Sequence, residues 1–317
     1  MDSFIVSYSS RLDKALALHL NSSRNQVEKL IKAGFVYVNG DSIAKTSFKV
    51  VVGDEVSYEL QEAEQKDGVE VDFDIDILYE DEYLLVINKP SGIVVHPAPS
   101  VKEATVVDWL IKRGITLSTI SGEERHGIVH RIDKETTGAL VIAKDNKTHE
   151  ALSKQLQDKT MGRYYLALID YPLKENIIVD KPIARNPKNR LKMDIVQNGK
   201  NAKSAFIKLA SIDSDIELIS AKLYTGRTHQ IRVHLKSLGR HILGDIMYGY
   251  KPKIYEIPRV FLHAYMLYLI HPITGQQLEV VAPLFDDMDN FTKRLYGESL
   301  LEKLLKPNYI KEQFDLL

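Results

Sequence analysis

Apolar and polar positions along this chain follow first a helical period and then an alternating one, and the changes of period outline its elements. Leu12, Leu16 and Leu20 recur at helical spacing behind Ser10-Arg-Leu-Asp13, which predicts a capped amphipathic helix. Val27, Leu30 and Ile31 repeat the stripe behind Ser23-Arg24-Asn25-Gln26, with Gly34 as the C-terminal cap. Phe35 to Val38, the turn Asn39-Gly40-Asp41, and Phe48 to Val56 then read as short strands joined by hairpin turns. Two helices and a small sheet predict a compact module over residues 1–62. The acidic stretch 63–76 lacks core signals and is expected to be a linker.

From Ile77 onward the pattern is β-rich. Tyr83 to Ile87 predicts a strand, Asn88-Lys89-Pro90-Ser91-Gly92 a turn, and Ile93 to Pro97 a second strand. Ala139 to Ala143 is a continuous apolar run, expected to be a core strand. Asp145 or Asn146 can cap a helix that points Leu152 and Leu156 inward. Tyr164 to Ile169 predicts another strand, whose two adjacent tyrosines must face opposite sides. Last, Thr228 is placed to cap a helix with Ile231, Leu235 and Leu238 on its apolar face and Gly239 at its end. The expected architecture is α+β: a small module, a linker, and a large unit over 77–317.

Composition changes this picture in two places. The 317 residues contain no cysteine, which removes disulfides, thiol nucleophiles and thiolate metal sites. No run of eighteen apolar residues predicts a membrane helix, and the first residues lack a signal-peptide layout, so a soluble cytoplasmic protein is expected. The net charge of −1 hides a strong asymmetry: residues 61–100 carry two cations against ten acidic groups, whereas residues 101–240 carry twenty-five against sixteen. Within 181–208, eight cations, among them Lys188, Arg190 and Lys192, face Asp194 alone. Such clustering suits contact with nucleic-acid phosphates, against the plainer alternative of a solvated loop.

The candidate chemistry gathers in His126-Gly-Ile-Val-His130-Arg131-Ile-Asp133-Lys134-Glu-Thr-Thr-Gly138, immediately before the core strand. Asp133 sits between two cations, Arg131 and Lys134, which are expected to keep it ionised for work as nucleophile or base. A structural ion pair at a turn is the alternative. The helix after Thr228 places His229, Arg232 and Lys236 on one face near its N-terminus, with Arg227 just outside. The pairs His126/His130 and His229/His234 also allow a metal-dependent hydrolase, although no Glu stands beside either pair as a base.

Four blocks in order, "LLVINKPSGIVVHP" (84–97), "HGIVHRIDKETTGALVIAKD" (126–145), "GRYYLALI" (162–169) and "LYTGRTHQIRVHLKSLGRHILGDIMYG" (223–249), resemble the RluA/RluD-type RNA pseudouridine synthases. "SRNQVEKLIKAGFVYVNG" with "VVVGDEV" resembles the S4 RNA-binding domain, the usual N-terminal partner in that family. The resemblance implies a mixed, mostly antiparallel sheet with a central cleft and uridine-to-pseudouridine isomerisation without cofactor or metal. It matches Asp133 to the catalytic aspartate, Tyr165 to the tyrosine against the flipped uracil, and Arg232 to the arginine that pairs with the aspartate. Arg131 matches the residue that fills the space left by the extruded base, and His130, Arg227, His229 and Lys89 are assigned to substrate contacts. Attack on the anomeric carbon and removal of the 2′ proton both stay open for Asp133. The S4-like face carries Arg24, Lys29 and Lys32 toward RNA. The implied substrate is large-subunit (23S) ribosomal RNA or the assembling large subunit, handled by a monomer. A non-catalytic RNA-binding assembly factor is the competing class.

Overall fold

The structure, a computed structural model, describes residues 1–20, 24–59, 69–98, 100–120, 126–212, 215–252 and 255–317, without the side chains of residues 24–26, 29 and 212. In the N-terminal part, strands β1 (Asp2–Ile5) and β2 (Ser10–Arg11) precede helices α1 (Leu12–His19) and α2 (Arg24–Lys32). Strands β3 (Val36–Val38), β4 (Asp41–Ser42), β5 (Lys49–Val50) and β6 (Glu55–Tyr58) follow. Leu12, Leu16, Val27 and Ile31 from the two helical stripes are buried against Val36, Val38, Val56 and Tyr58 of the sheet β1-β6-β3-β4. Ser10 does not cap α1, because its backbone is paired with Val50 in β2–β5; the N-cap is Arg11, with no side-chain cap bond. Arg11 instead forks onto the buried Asp13 at 3.0 and 2.9 Å. The strand expected from Phe48 stops after Val50, since Gly53 (φ +94°) turns the chain and Asp54 accepts the amide of Val51.

The large unit is built on a nine-stranded sheet. Its elements are β7 (Asp76–Glu80), β8 (Leu84–Lys89), α3 (Val106–Lys112), β9 (Thr137–Ala143), α4 (Asn146–Asp158) and β10 (Gly162–Asp170). Next come β11 (Ile177–Asp180), the hairpin β12 (Ile183–Arg185) and β13 (Met193–Ile195), β14 (Lys203–Ile212), β15 (Ile216–Leu223) and α5 (Gln230–Ser237). Strands β16 (Leu262–Ile270) and β17 (Gln277–Val281) and helices α6 (Asp286–Tyr296), α7 (Glu298–Leu304) and α8 (Pro307–Asp315) complete it. The strand order is β11-β14-β15-β10-β16-β9-β8-β7, with β17 also on β16. Only β16–β9 is parallel among the described pairings. The two meet closely at Gly138 (φ +109°), where a Cβ would stand 2.3 Å from the carbonyl oxygen of Ala264.

Alternation divides the sheet's side chains between two faces. Leu85, Ile87, Leu140, Ile142, Tyr165 and Ala167 point to the face covered by α3 and α5, through Trp109, Leu110, Ile231 and Leu235. On the opposite face Leu84, Val86, Ala139 and Val141 meet Leu152 of α4. Further along that face Tyr164, Leu166 and Leu168 meet Met288, Phe291, Leu301, Ile310 and Phe314 of the C-terminal helices. Each fully buried side chain of this size contributes about 1.5–3 kcal/mol relative to exposure. Asp145 caps α4 by accepting the amide of Thr148, as its position in the sequence suggested.

The expected second strand and the expected linker both fail in this unit. Ile93 to Pro97 is not a strand: Ile93 gives its carbonyl to Lys89 Nζ, and the carbonyls of Val94 and Val95 accept the first amides of α3. Those acceptors are used to finish a helix N-terminus rather than a ladder. The described end of the expected linker, residues 69–76, is likewise not free chain. Val71 and Ile75 are buried in the large core, and Asp74 accepts bonds from Trp109 Nε1 and Arg113, both at 2.9 Å. Residues 63–68 lie outside the described residues.

Candidate active site

Asp133 stands in a turn without regular structure, and the neighbouring turn after β8 fixes that backbone. Gly92 donates its amide to the Lys134 carbonyl at 2.9 Å, and Ser91 Oγ donates to the Glu135 carbonyl at 3.1 Å. Lys89 is fully buried, and its Nζ donates to the carbonyls of Pro90, Ile93 and Lys134 at 2.7, 2.9 and 3.1 Å. Three acceptors use every N–H an ammonium has. Burial drags the Lys89 pKa down to about 7, against the pull of the Asp133 and Glu135 charges. The expected substrate contact from Lys89 is therefore corrected: this side chain ties two turns together beneath Asp133.

Arg232 enters from the first turn of α5. Its Nε and Nη2 donate to the two oxygens of the buried Asp245, both at 2.7 Å, and its Nη1 stands 3.7 Å from Asp133 Oδ2. Burial works against the Arg232 charge, but the bonds and charge of Asp245, with Asp133 behind them, raise its pKa. The Tyr248 ring lies 4.9 Å from the guanidinium carbon. The bidentate partner of Arg232 is thus Asp245, and Asp133 meets a guanidinium already oriented by another carboxylate. Lys134, expected as a second counter-charge for Asp133, turns away to Glu103 at 2.7 Å.

Thr228 does not cap α5. His229 is the N-cap residue in left-handed conformation (φ 55°), an uncommon state for a residue with a Cβ. The turn is closed by Gln230, whose Oε1 accepts the amide of Arg227 at 2.9 Å and the Thr225 hydroxyl at 2.7 Å. His229 Nδ1 and the Tyr248 hydroxyl share a hydrogen bond at 2.8 Å, and that hydroxyl accepts the Met193 amide of the β12–β13 hairpin at 2.8 Å. Burial lowers the His229 pKa, so the imidazole is neutral.

One cavity brings these groups together. Arg131, Asp133, Arg163, Tyr165, Arg227, His229 and Arg232 all line it. Tyr165 comes from β10 beside an irregularity in its pairing with β16 between Tyr164 and Tyr165, the kind of bulge that re-aims a side chain. Burial raises the Tyr165 pKa, and the Asp133 charge adds to this against Arg163, so Tyr165 presents a neutral phenol. The cleft is open to solvent on one side and is lined by both polar and apolar groups. Arg131 is exposed and makes no hydrogen bond among the described residues, which leaves it free to move.

The remaining candidates lie elsewhere. His130 lines a neighbouring cavity rather than this one, with Nε2 accepting the Val141 amide at 3.3 Å. Lys188 and Arg190 are exposed and Lys192 half-buried in the β12–β13 turn. Lys32 is exposed beside Glu28, while the side chains of Arg24 and Lys29 lie outside the described residues. His234 bonds Ser204 Oγ and the Lys181 carbonyl, both at 3.0 Å, so the histidine pairs do not converge. Among the described residues no group of three metal-ligating side chains forms. Sequence reasoning missed Asp245, Tyr248 and Arg163; the first two lie inside the block 223–249, thirteen and sixteen positions after Arg232, where no local period marks them.

With this geometry in place, the family model described as RNA pseudouridylate synthase matches residues 83–237, and the S4 domain model matches residues 10–56. An uncharacterized RNA pseudouridine synthase of Helicobacter pylori is 44% identical, covering 96% of this chain and 95% of its own length. The chain belongs to the RNA pseudouridine synthase family. It is accordingly an isomerase with an S4 domain ahead of its catalytic domain. Ribosomal large subunit pseudouridine synthase D of Vibrio cholerae is 35% identical over 92% of this chain and 93% of that protein. The solved structure of human RNA pseudouridylate synthase domain containing 4 shares the fold, with TM-score 0.54 and 27% identity over 69% of this chain and 92% of that one. The mixed, mostly antiparallel sheet expected from the resemblance is the sheet observed. No helix among the described residues is long and apolar enough to cross a membrane.

Proposed function

We propose that this synthase converts specific uridines of large-subunit (23S) ribosomal RNA to pseudouridine, with Asp133 as the carboxylate that acts at the ribose. The observation that carries the reading is the shared wall of Asp133, Tyr165 and Arg232 around one cavity, with Arg232 locked to Asp245. The relatives named ribosomal large subunit pseudouridine synthase D favour the ribosomal substrate. Isomerisation breaks the bond between N1 and the ribose, turns the uracil, and joins carbon 5 to the same sugar carbon. Positive character grows on the ribose as the base departs, and a carboxylate on its face stabilises that state or captures it. Arg232 steadies the carboxylate, and a guanidinium with two further anchors cannot swing away during the step. Tyr165, as a neutral phenol, forms the wall against which the freed uracil turns. Arg131 occupies the gap in the stack once the base is extruded.

The chain is read as a monomer acting in the cytoplasm on the ribosome or its assembling large subunit. Its two units are residues 1–62 and a catalytic unit that begins earlier than residue 77, since Val71 and Ile75 belong to its core. The assay is release of label from carbon 5 of uracil in an unmodified 23S transcript. Asp133→Asn, close to Asp in size, is expected to bind the transcript and to release label at least about 1,000-fold more slowly. Comparable release by both proteins would remove Asp133 from the reaction.

A further inference from the structure

A second cavity, of about 290 Å³, adjoins the Asp133 cleft and shares the walls Arg131, Arg163, Leu223 and Gly226 with it. His130 and Lys159 also line it, and among the described residues no carboxylate does. Arg163, on the central strand β10, is only 7% exposed, yet its Nε is buried with no hydrogen-bond partner and no ion pair to its guanidinium forms among the described residues. A buried cation without a partner is costly, and each such group in a folded protein calls for an explanation. His130 presents a second orphan. Its Nε2 accepts the Val141 amide, so Nδ1 carries the proton of the neutral ring, and this buried N–H has no acceptor. Gly226 lies beside this guanidinium: a Cβ at that position would stand in ordinary contact with Arg163 Nη2, at 3.5 Å.

Two buried donors, flanked by Arg131 and Lys159, await an acceptor that the protein does not supply. Among the described residues the lining of this second cavity carries cations and no carboxylate, which suits an anion better than a neutral base carbonyl. The anion that RNA carries is its phosphodiester, whose two free oxygens match the fork of a guanidinium. We propose that Arg163 and His130 form a binding site for the backbone phosphate adjoining the nucleotide whose base enters the Asp133 cleft. The proposal rests on the reading of that cleft as the uridine site. The bound phosphate would draw the ribose toward Asp133 while the base is out of its stack, and it would complete the buried guanidinium at the moment of binding. Without RNA, Arg163 is a liability to the fold.

Ethylation interference on a 23S transcript tests this, because each ethyl group neutralises one phosphate. Wild-type protein should show interference at the phosphate beside the uridine it modifies. Arg163→Met should lose that one position, keep the other interfering positions, and bind the unmodified transcript about tenfold more weakly. Arg163→Lys should keep the position. The melting temperature of Arg163→Met should equal or exceed that of wild type, since an unpaired buried charge has been removed. An unchanged interference set in Arg163→Met overturns the site, whether affinity holds or falls; a fall would assign Arg163 to the base instead. Pseudouridine is measured on the same transcript. Absence of pseudouridine with the wild-type protein would strike the proposed function, whereas the interference comparison reports on the phosphate site alone.

Discussion

Asp133 owes its position to groups other than itself: Lys89 and Gly92 hold the backbone behind it, and Asp245 aims the arginine in front of it. Asp245 and Arg232 are both buried, so removing one leaves an uncompensated charge. Asp245→Ala is expected to destabilise the fold by about 3–5 kcal/mol in urea unfolding. Turnover should fall about 100-fold as Arg232 loses its aim, the order expected for a small misplacement at a reacting centre. Unchanged turnover would show that Asp133 does not depend on the oriented guanidinium. Lys89 gives a pH prediction. Its folded-state pKa is about 7 against an ordinary 10.5, so between these values the unfolded chain holds the extra proton. Stability from this group therefore rises with pH across the window and is flat below pH 7. The difference in unfolding free energy between wild type and Lys89→Met should follow that course; a constant difference up to pH 10.5 would contradict it. Lys89 itself was legible only as turn chemistry, because Asn88-Lys89-Pro90 explains a turn without revealing that the three carbonyls converge. Asp245 was illegible for a similar reason: its partner lies on a helix and it lies in a loop, with no period to join them.

The elements that follow a strong apolar period were readable in the sequence, and those built by long-range hydrogen bonds were not. The run Ala139 to Ala143 became β9, and the adjacent tyrosines of β10 divided between the two faces as alternation requires. Ile93 to Pro97 looks as apolar as a strand, but its carbonyls complete the N-terminus of α3. Thr228 has the composition of a cap, yet Gln230 closes the turn from inside the helix. The basic stretch 181–208 resolves into parts with different fates. Lys208 is tied inward to the Leu173 carbonyl at 2.6 Å, whereas Lys188 and Arg190 stand exposed on the β12–β13 turn. That hairpin reaches the active site through the bond from Met193 to Tyr248. Charge reversal at Lys188, Arg190 and Lys192 should weaken RNA binding and flatten its salt dependence by about one unit of slope for each phosphate left without its cation. Titration of a 23S transcript at several salt concentrations checks this, and an unaltered slope would place the hairpin outside the footprint.

Across the whole molecule the sheet separates two tasks. One face, under α3 and α5, holds the cavity, while the other is covered by α4 and the C-terminal helices, which pack Phe314 against Tyr164 at 5.2 Å between ring centres. The adjacent side chain, Tyr165, therefore stands on a strand backed by packed aromatic rings. The sequence showed the ordered blocks of the catalytic unit but no role for residues 286–317, whose buried positions are spread over three short helices. The chain carries an S4 domain as well as the catalytic unit, so the natural test uses the whole chain on natural RNA. Pseudouridines should be mapped in ribosomal and transfer RNA from cells lacking this gene and from the same cells given the wild-type or the Asp133→Asn gene. The expected result is loss of defined pseudouridines in 23S ribosomal RNA, restored by wild type and not by Asp133→Asn. Restoration by the Asn variant, or a 23S map that is unchanged while transfer RNA loses its sites, would contradict the account.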